Sequence, residues 1–267
     1  MYKVIPIKAF QDNYIWVLVE PSENYCVVVD PGDAEPVLAF LNDTKIKPCA
    51  IFITHHHPDH TNGVAKLIDY FHIPVYGSER SNLAFISDYV SQSDEVMIPE
   101  FKQSFNVLAV PGHTLDHIAF YDATCLFPGD CLFLGGCGRV FEGTAKQMVN
   151  SLSKFIHLND DIMIYCAHEY TLQNLMFALS IEPNNLKLKQ RVQKITKIRF
   201  AGDITIPEKL AMEKQTNPFL RLDDLVFRKH CETQLGQEFA DNVTLFQTLR
   251  TLKDKFSFSE IDFLRAT

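Results

Sequence analysis

The sequence predicts a mixed α/β layered domain followed by a mainly helical C-terminal domain. Residues 1–172 alternate short apolar runs of strand length with segments of helical spacing, which is typical of layered α/β domains. After residue 172 the strand-like alternation nearly vanishes, and long segments of helical spacing replace it. We therefore expect two domains, residues 1–172 and 173–267.

β-branched and aromatic runs predict the strands of the first domain. Several of these runs are followed directly by Pro, Gly or Asp, the residues that favour turns. We expect the last predicted strand to be the last clear strand of the chain. The predicted strands are Tyr14–Val19, Cys26–Val29, Cys49–Ile53, Pro74–Gly77, Phe105–Val110, Ile118–Tyr121, Thr124–Phe127 and Asp161–Cys166.

Apolar residues spaced three and four apart predict the helices. Such spacing gives each helix one apolar face that a neighbouring layer can cover. Two helices fall in the first domain and three in the second. They are Ala34–Leu41, Gly63–Phe71, Leu172–Leu179, Leu186–Ile198 and Asp241–Lys255.

Composition narrows the class of protein. The 267 residues are 46% apolar and 22% charged, which is ordinary for a globular protein. The net charge of −8 disfavours a partner with a nucleic-acid backbone, which calls for a basic surface. No apolar run approaches the ~20 residues that span a bilayer, and no signal peptide is evident. The seven scattered cysteines contain no CxxC pair, so we expect reduced thiols, a cytoplasmic location and no membrane partner.

The sharpest feature is a histidine cluster at residues 54–60, directly after a predicted strand. Four of the ten histidines fall within six positions. Alternation in an extended segment puts His55 and His57 on one side, where both can reach one metal ion. Pro58 blocks continuation of a strand or helix, and the following bend can turn Asp59 and His60 towards a second ion.

Three further candidate ligands also follow apolar strands. They are His113 in Pro-Gly-His-Thr, Asp130 in Pro-Gly-Asp and His168 in Cys-Ala-His-Glu. Strand ends are rigid places from which to present functional groups. Gly-His-Thr and Pro-Gly-Asp are also ordinary turn sequences. We therefore predict these residues as metal ligands only because the histidine cluster is also present.

Seven imidazole and carboxylate ligands are too many for one tetrahedral zinc and suit two metal ions. We expect one ion at His55, His57 and His113 and the other at Asp59, His60 and His168. Asp130 is the best candidate to bridge them, because a carboxylate has two oxygens. Two divalent ions would yield a hydroxide near neutral pH; zinc is expected, and iron and manganese also suit these ligands.

Other polar residues have simpler interpretations. A lone histidine is most often a capping or core residue, and we interpret His72, His157 and His230 in this way. His117 suits a structural role or a contact to a metal ligand. Asp30 could cap the following turn or accept a hydrogen bond from a ligand histidine.

These motifs resemble those of the metallo-β-lactamase superfamily. The similarity lies in His55-x-His57-x-Asp59-His60, Gly112-His113-Thr114, Gly129-Asp130 and Ala167-His168-Glu169-Tyr170, in the same order and with similar spacing. The resemblance implies a four-layer αβ/βα sandwich with a dinuclear metal site at one edge of its two sheets, here with a helical C-terminal domain.

Three more segments resemble the glyoxalase II family, the hydroxyacylglutathione hydrolases: residues 136–144, 216–221 and 249–256. The resemblance implies hydrolysis of S-(2-hydroxyacyl)glutathione thioesters, such as S-D-lactoylglutathione, the second step of methylglyoxal detoxification. It also implies that glutathione is held by Arg139, Phe141, Tyr170, Arg250 and Lys253. Arg139 stands where many members have lysine, and Phe141 stands where some have tyrosine, so the contacts to glutathione differ there.

In this interpretation a metal-bridged hydroxide attacks the thioester, and Asp59 and Asp130 are the catalytic carboxylates. A monomer is expected. Rival interpretations are another dinuclear hydrolase (a lactonase, a β-lactamase or another thioesterase), a mononuclear-iron sulfur dioxygenase, a diiron protein, a tRNA-processing nuclease, and a metal-binding interaction domain without activity. The acidic charge and the presence of Asp130 among the candidate ligands disfavour the nuclease and the secreted lactamase.

Overall fold

Two six-stranded mixed sheets dominate the computed structural model, which describes residues 2–20, 24–259 and 263. The first sheet has its strands in sequential order, with the first three antiparallel and the rest parallel. Its strands are β1 (Lys3–Ala9), β2 (Asn13–Glu20), β3 (Tyr25–Val29), β4 (Lys47–Phe52), β5 (Val75–Ser78) and β6 (Asp88–Val90).

The second sheet has the order β14-β13-β10-β9-β8-β7, and a short hairpin of β11 and β12 lies outside it. Its neighbouring strands are antiparallel except for β10 and β13. These strands are β7 (Glu95–Ile98), β8 (Gln103–Ala109), β9 (Ile118–Tyr121), β10 (Cys125–Phe127), β11 (Leu132–Phe133), β12 (Gly136–Cys137), β13 (Met163–Ile164) and β14 (Glu208–Lys209).

Helices flank the sheets and make up most of the chain after residue 170. A 3₁₀ turn, Pro218–Leu220, interrupts the C-terminal helices. The helices are α1 (Ala34–Thr44), α2 (Pro58–Thr61), α3 (Val64–Phe71), α4 (Ala145–Ile156), α5 (Thr171–Ile181), α6 (Leu186–Phe200), α7 (Leu210–Thr216), α8 (Leu225–Leu235) and α9 (Asn242–Lys255).

Successive side chains of β2 point into two different hydrophobic cores, which shows how the layers form. Trp16 belongs to the core that includes the second sheet, whereas its neighbour Ile15 belongs to the core between the first sheet and helices α1 and α3. Successive strand residues face opposite sides, so a strand that is apolar throughout is buried on both faces. Phe52 of β4 and Phe120 of β9 stack across the sheets with ring centroids 4.2 Å apart. The result is the expected αβ/βα sandwich.

Several sequence predictions need correction. The predicted strand Asp161–Cys166 shortens to Met163–Ile164, and it is not the last, because β14 pairs with it from the C-terminal part. Strand β14 was not predicted, because its two residues are both charged and show no alternation of apolar and polar side chains. Helix α4 is also absent from the prediction, although Thr144 and Gln147 form a capping box before it.

The expected boundary at residue 172 stays a prediction. Helix α5 begins at Thr171, close to that position, yet β14 adds a C-terminal strand to the second sheet. The helical part has a small core of its own between α5 and α6, formed around Leu172, Leu188 and Ile195.

A buried ion pair ties the helical part to the β11–β12 hairpin. Arg191 of α6 donates to Glu213 of α7, and both side chains are almost fully buried. Glu213 also accepts hydrogen bonds from the Gly135 backbone N–H at 2.8 Å and the Asn217 side chain at 2.9 Å. This one carboxylate therefore joins three segments.

Glu213→Ala is expected to lower the free energy of unfolding by about 3–5 kcal/mol, because Arg191 would stay buried without a charged partner. Urea denaturation followed by circular dichroism measures this loss. Asp161→Ala is the matched control: its carboxylate pairs with Lys209 at the exposed surface, where an ion pair adds little. Equal losses in the two variants would contradict the assignment.

Candidate metal centre and substrate cavity

The seven predicted ligands converge at one edge of the two sheets. The segment after β4 places His55 and His57, and the short helix α2 carries Asp59 and His60. Pro58 occupies the first turn of helix α2. The preceding extended segment ends there, as expected, and a short helix takes the place of the expected bend. The remaining ligands follow β8, β10 and β13. They are His113, Asp130 and His168.

The ligand atoms form two groups whose members coincide with the predicted allocation. Within each group they lie within 4.8 Å of one another. Among the described residues, two further groups of this kind occur. His55, His60 and Asp130 form one, which links the two central groups, and His56, Asp116 and Glu142 form the other, on the adjoining surface. The two central groups are His55, His57 and His113, and Asp59, His60 and His168.

Asp130 lies between the two groups with one oxygen towards each. Its Oδ2 is 3.5 Å from His113 Nε2, and its Oδ1 is 3.4 Å from both His60 Nε2 and His168 Nε2. Burial alone would raise the pKa of Asp130, but His60 and His168 hold it well below its usual range. The ionised carboxylate is thus arranged as the predicted bridge requires.

Hydrogen bonds at Nδ1 orient four of the histidines, so that Nε2 of each faces the centre. Such bonds fix the ring and its tautomer. Asp30 accepts from His60, one of the two roles expected for it, and Asp12 was not anticipated from the sequence. The bonds run from His55 to Thr54 Oγ1 (3.1 Å), from His60 to Asp30 (2.9 Å), from His113 to the Arg139 carbonyl (2.8 Å) and from His168 to Asp12 (2.8 Å).

The residues present fit metal ions. Among the described residues, His55 Nε2, His60 Nε2 and Asp130 Oδ1 are buried and find no hydrogen-bond partner, although an unpaired buried polar atom costs about 1–3 kcal/mol. Burial, with His60 and His117 nearby, holds the pKa of His55 well below its usual range, so its imidazole is neutral. Neutral imidazoles and carboxylates with free lone pairs are the donors that zinc, iron and manganese accept.

The remaining histidines take structural roles. His117 Nε2 accepts the backbone N–H of Asp130 at 3.1 Å, and its ring stacks on His55 with centroids 4.6 Å apart. It therefore supports two candidate ligands. His72 and His157 terminate helices α3 and α4 as C-caps. His230 contacts the Ile181 carbonyl at 2.8 Å.

A cavity of about 360 Å³ opens beside the metal centre, between the sandwich and the C-terminal helices. All five predicted glutathione-binding residues line it. The lining also includes His113 and Asp130, so the cavity joins the metal centre to a basic wall. The five residues are Arg139, Phe141, Tyr170, Arg250 and Lys253.

The basic wall comes from helix α9. Arg250 is held by the Cys137 carbonyl at 2.9 Å and by Asp254, whereas among the described residues no carboxylate lies within ion-pair distance of Lys253. Burial, together with Arg250 and Arg139, lowers the pKa of Lys253 to about 8. Asp254 was not predicted as a site residue. Its Oδ1 also lies 3.5 Å from Arg139 Nε.

Aromatic rings form the opposite part of the cavity. Tyr170 stacks on His168 with centroids 4.9 Å apart and planes within 5°. Phe141 is 61% exposed and lies 5.2 Å from the His113 ring. An aromatic ring without a hydroxyl therefore lies beside the metal centre at this position.

Comparison with known proteins identifies the class and then the family. Residues 11–168 match the model of the Metallo-beta-lactamase superfamily, and residues 169–256 match that of the Hydroxyacylglutathione hydrolase C-terminus. Hydroxyacylglutathione hydrolases of Nitrosomonas eutropha and Psychromonas ingrahamii are 42% and 44% identical to this chain over 96% of it and 100% of their own lengths. The chain belongs to the hydroxyacylglutathione hydrolases, a family of hydrolase enzymes.

Solved structures agree on the fold. ETHE1 from Myxococcus xanthus covers 100% of this chain, and 95% of its own chain is matched, with a TM-score of 0.65 and 21% identity. The BLEG-1 B3 metallo-beta-lactamase covers 82% of this chain, with 99% of its own chain matched, a TM-score of 0.59 and 23% identity. The predicted resemblance, fold class and enzymatic nature are confirmed, and the rival activities are not favoured.

We predict that the purified protein binds two equivalents of divalent metal and that His55→Ala retains fewer, because this imidazole has no protein partner at Nε2. Elemental analysis after dialysis measures the ratio of metal to protein. His72→Asn is the control, since His72 lies at an exposed helix end in a left-handed conformation that asparagine tolerates. Two equivalents in His55→Ala would contradict the ligand assignment.

Proposed function

We propose that the protein hydrolyses S-(2-hydroxyacyl)glutathione thioesters, with S-D-lactoylglutathione giving D-lactate and glutathione. The proposal rests mainly on one observation: Asp130 of the metal centre and Lys253 of the basic wall line the same cavity. The relatives that match over nearly the whole chain are hydroxyacylglutathione hydrolases. The reaction is the second step of methylglyoxal detoxification.

The metal centre would hold two divalent ions, with Asp130 shared between the two ligand groups. When bound, the ions supply a hydroxide at neutral pH and polarise the thioester carbonyl. Zinc is the proposed ion because imidazole and carboxylate ligands suit it; iron and manganese are the alternatives that elemental analysis would reveal.

The basic wall would bind glutathione through its carboxylates. Arg250 and Lys253 lie one turn apart on α9 and both line the cavity. Asp254 and the Cys137 carbonyl already accept hydrogen bonds from the Arg250 guanidinium, so that group is oriented before substrate binds. Among the described residues no carboxylate pairs with Lys253, whose ammonium lies 5.8 Å from the centroids of the Phe177 and Phe256 rings, so it can take a substrate carboxylate.

Arg139 and the aromatic residues would complete the glutathione site. The side chain of Arg139 is 62% exposed, so it can adjust to the substrate as it binds. Tyr170 and Phe141 offer flat apolar surfaces on either side of the metal centre, which suit the methylene and peptide groups of the tripeptide.

Asp59 would orient the attacking water. Its side chain is the most exposed of the candidate ligands with a carboxylate, at 41% against 11% for Asp130. Its Oδ2 lies 3.4 Å from His168 Nε2, so it faces the centre rather than solvent alone. The leaving group is a thiolate whose free thiol has a pKa near ~8.5, so expulsion needs no general acid.

The proposed setting is the cytoplasm, and the proposed active form is a monomer. All seven cysteines are free and buried, which suits a reducing compartment. Within the described residues, no helix is both long and apolar enough to cross a membrane.

The central prediction is that metal-loaded protein hydrolyses S-D-lactoylglutathione. Lys253→Ala and Arg250→Ala are expected to raise KM at least about tenfold, since each removes a charged contact of roughly 1.5–3 kcal/mol, with a smaller effect on kcat. Loss of thioester absorbance measures the rate.

Lys255→Ala is the matched control, because Lys255 lies on the same helix but is exposed and does not line the cavity. No turnover by protein that holds both metal ions would overturn the proposed reaction. Variants at Arg250 and Lys253 with an unchanged KM would overturn the glutathione site instead.

A pH dependence follows from the pKa of Lys253, which burial lowers to about 8. The ammonium is charged below this pH and neutral above it, so attraction to a carboxylate is lost as pH rises. We expect kcat/KM to fall as pH passes through about 8. Lys253→Arg keeps its charge and should move the decline to higher pH; an identical decline in this variant would show that another group titrates.

A further inference from the structure

The segment of residues 12–14, which leads from the β1–β2 turn into β2, pairs with the segment that carries the candidate ligand His168. Residues 12–14 pair with residues 167–169 through the backbone: Tyr14 N–H donates to the Ala167 carbonyl at 2.7 Å, and Glu169 N–H donates to the Asp12 carbonyl at 2.9 Å. Asn13 and His168 are antiparallel bridge partners. A segment near the start of the chain therefore fixes the backbone that carries one ligand.

Side chains of the same segment reach two of the ligands. Asp12 Oδ1 accepts from His168 Nδ1–H at 2.8 Å, and this leaves His168 Nε2 facing Asp130. Asn13 Nδ2 donates to Asp59 Oδ2 at 2.9 Å, the oxygen that lies 3.4 Å from His168 Nε2. Consecutive residues thus hold one imidazole and one carboxylate of the same group.

The two contacts have different chemical effects. A carboxylate on the far nitrogen of a ligand histidine fixes the tautomer and raises the basicity of the other nitrogen. The amide of Asn13 is neutral and 8% exposed, so it orients Asp59 without competing for the metal. Because the Asp59 side chain is 41% exposed, few other groups restrain it.

We propose that Asp12 and Asn13 are positioning residues for the ion held by Asp59, His60 and His168, and not for the ion held by His55, His57 and His113. The first group has its own anchors, since His55 is held by Thr54 and His113 by the Arg139 carbonyl. The inference rests on the metal centre of the proposed function, and it predicts that the two ions respond unequally to changes in this segment.

The test is zinc binding by metal-free protein, in competition with a chromophoric chelator and without substrate. Asp12→Ala and Asn13→Ala are expected to weaken one of the two equivalents by about 10–100-fold and to leave the other unchanged. Asp12→Asn keeps a hydrogen-bond acceptor but loses the charge, so it should fall between the wild type and Asp12→Ala. Asp12→Glu is expected to restore part of the affinity.

Tyr14→Phe is the matched control in the same segment. Its hydroxyl donates to Glu169, which is not a candidate ligand and also accepts from the Thr205 backbone N–H at 2.9 Å. This variant should keep both zinc affinities. Equal weakening of both ions in Asp12→Asn, or no weakening of either ion, would overturn the proposal.

Zinc affinity is measured here without a thioester, so the outcome separates this inference from the proposed reaction. If Asp12→Ala does not fold, Asp12→Asn and Asn13→Ala carry the test. Failure to hydrolyse S-D-lactoylglutathione alongside unequal zinc affinities would leave the positioning role standing and remove only the substrate.

Discussion

The structure depends on keeping imidazole and carboxylate groups close together in a buried place. Three of their polar atoms have no hydrogen-bond partner within the described part of the chain, and each such atom costs about 1–3 kcal/mol unless something else satisfies it. Divalent ions would remove this cost. The unpaired atoms of the centre therefore lower the free energy of unfolding, and metal binding would raise it again.

The surrounding structure can be understood as the support for that arrangement. The ligands follow separate strands, so rigid sheets determine their spacing, and residues distant in sequence fix the rings through their outer nitrogens. Asp30 and Asp12 act on His60 and His168 in this way. The C-terminal helices add the part that the sandwich lacks: α9 brings Lys253 to the cavity beside the metal centre. In the proposed function, chemistry and substrate recognition thus come from different parts of the chain.

Local pattern predicted eight of the fourteen strands and five of the nine helices that the structure describes, and it singled out the candidate metal ligands. Alternation in an extended segment separates His55 and His57 from His56, and chain turns after apolar strands identify His113, Asp130 and His168. The proposed glutathione-binding residues came from resemblance to a family, because nothing in the spacing of Arg250 and Lys253 distinguishes a binding surface from a solvated one.

What local pattern missed depends on contacts between distant residues. Asp12 lies 156 positions from His168, and Arg191 lies 22 positions from Glu213, so neither pairing leaves a mark on its neighbours in sequence. Strand β14 exists only because β13 offers it an edge. Pro58 ends the preceding extended segment as predicted, but a short helix follows it instead of a simple bend, because proline suits the first turn of a helix.

The most direct test of this account is a crystal structure of the metal-loaded protein with anomalous scattering recorded at the absorption edge of the bound metal. Two peaks are expected: one among His55, His57 and His113, and one among Asp59, His60 and His168. Asp130 should contact both. A single peak, or metal bound away from these residues, would contradict the dinuclear centre from which the proposed hydrolysis follows.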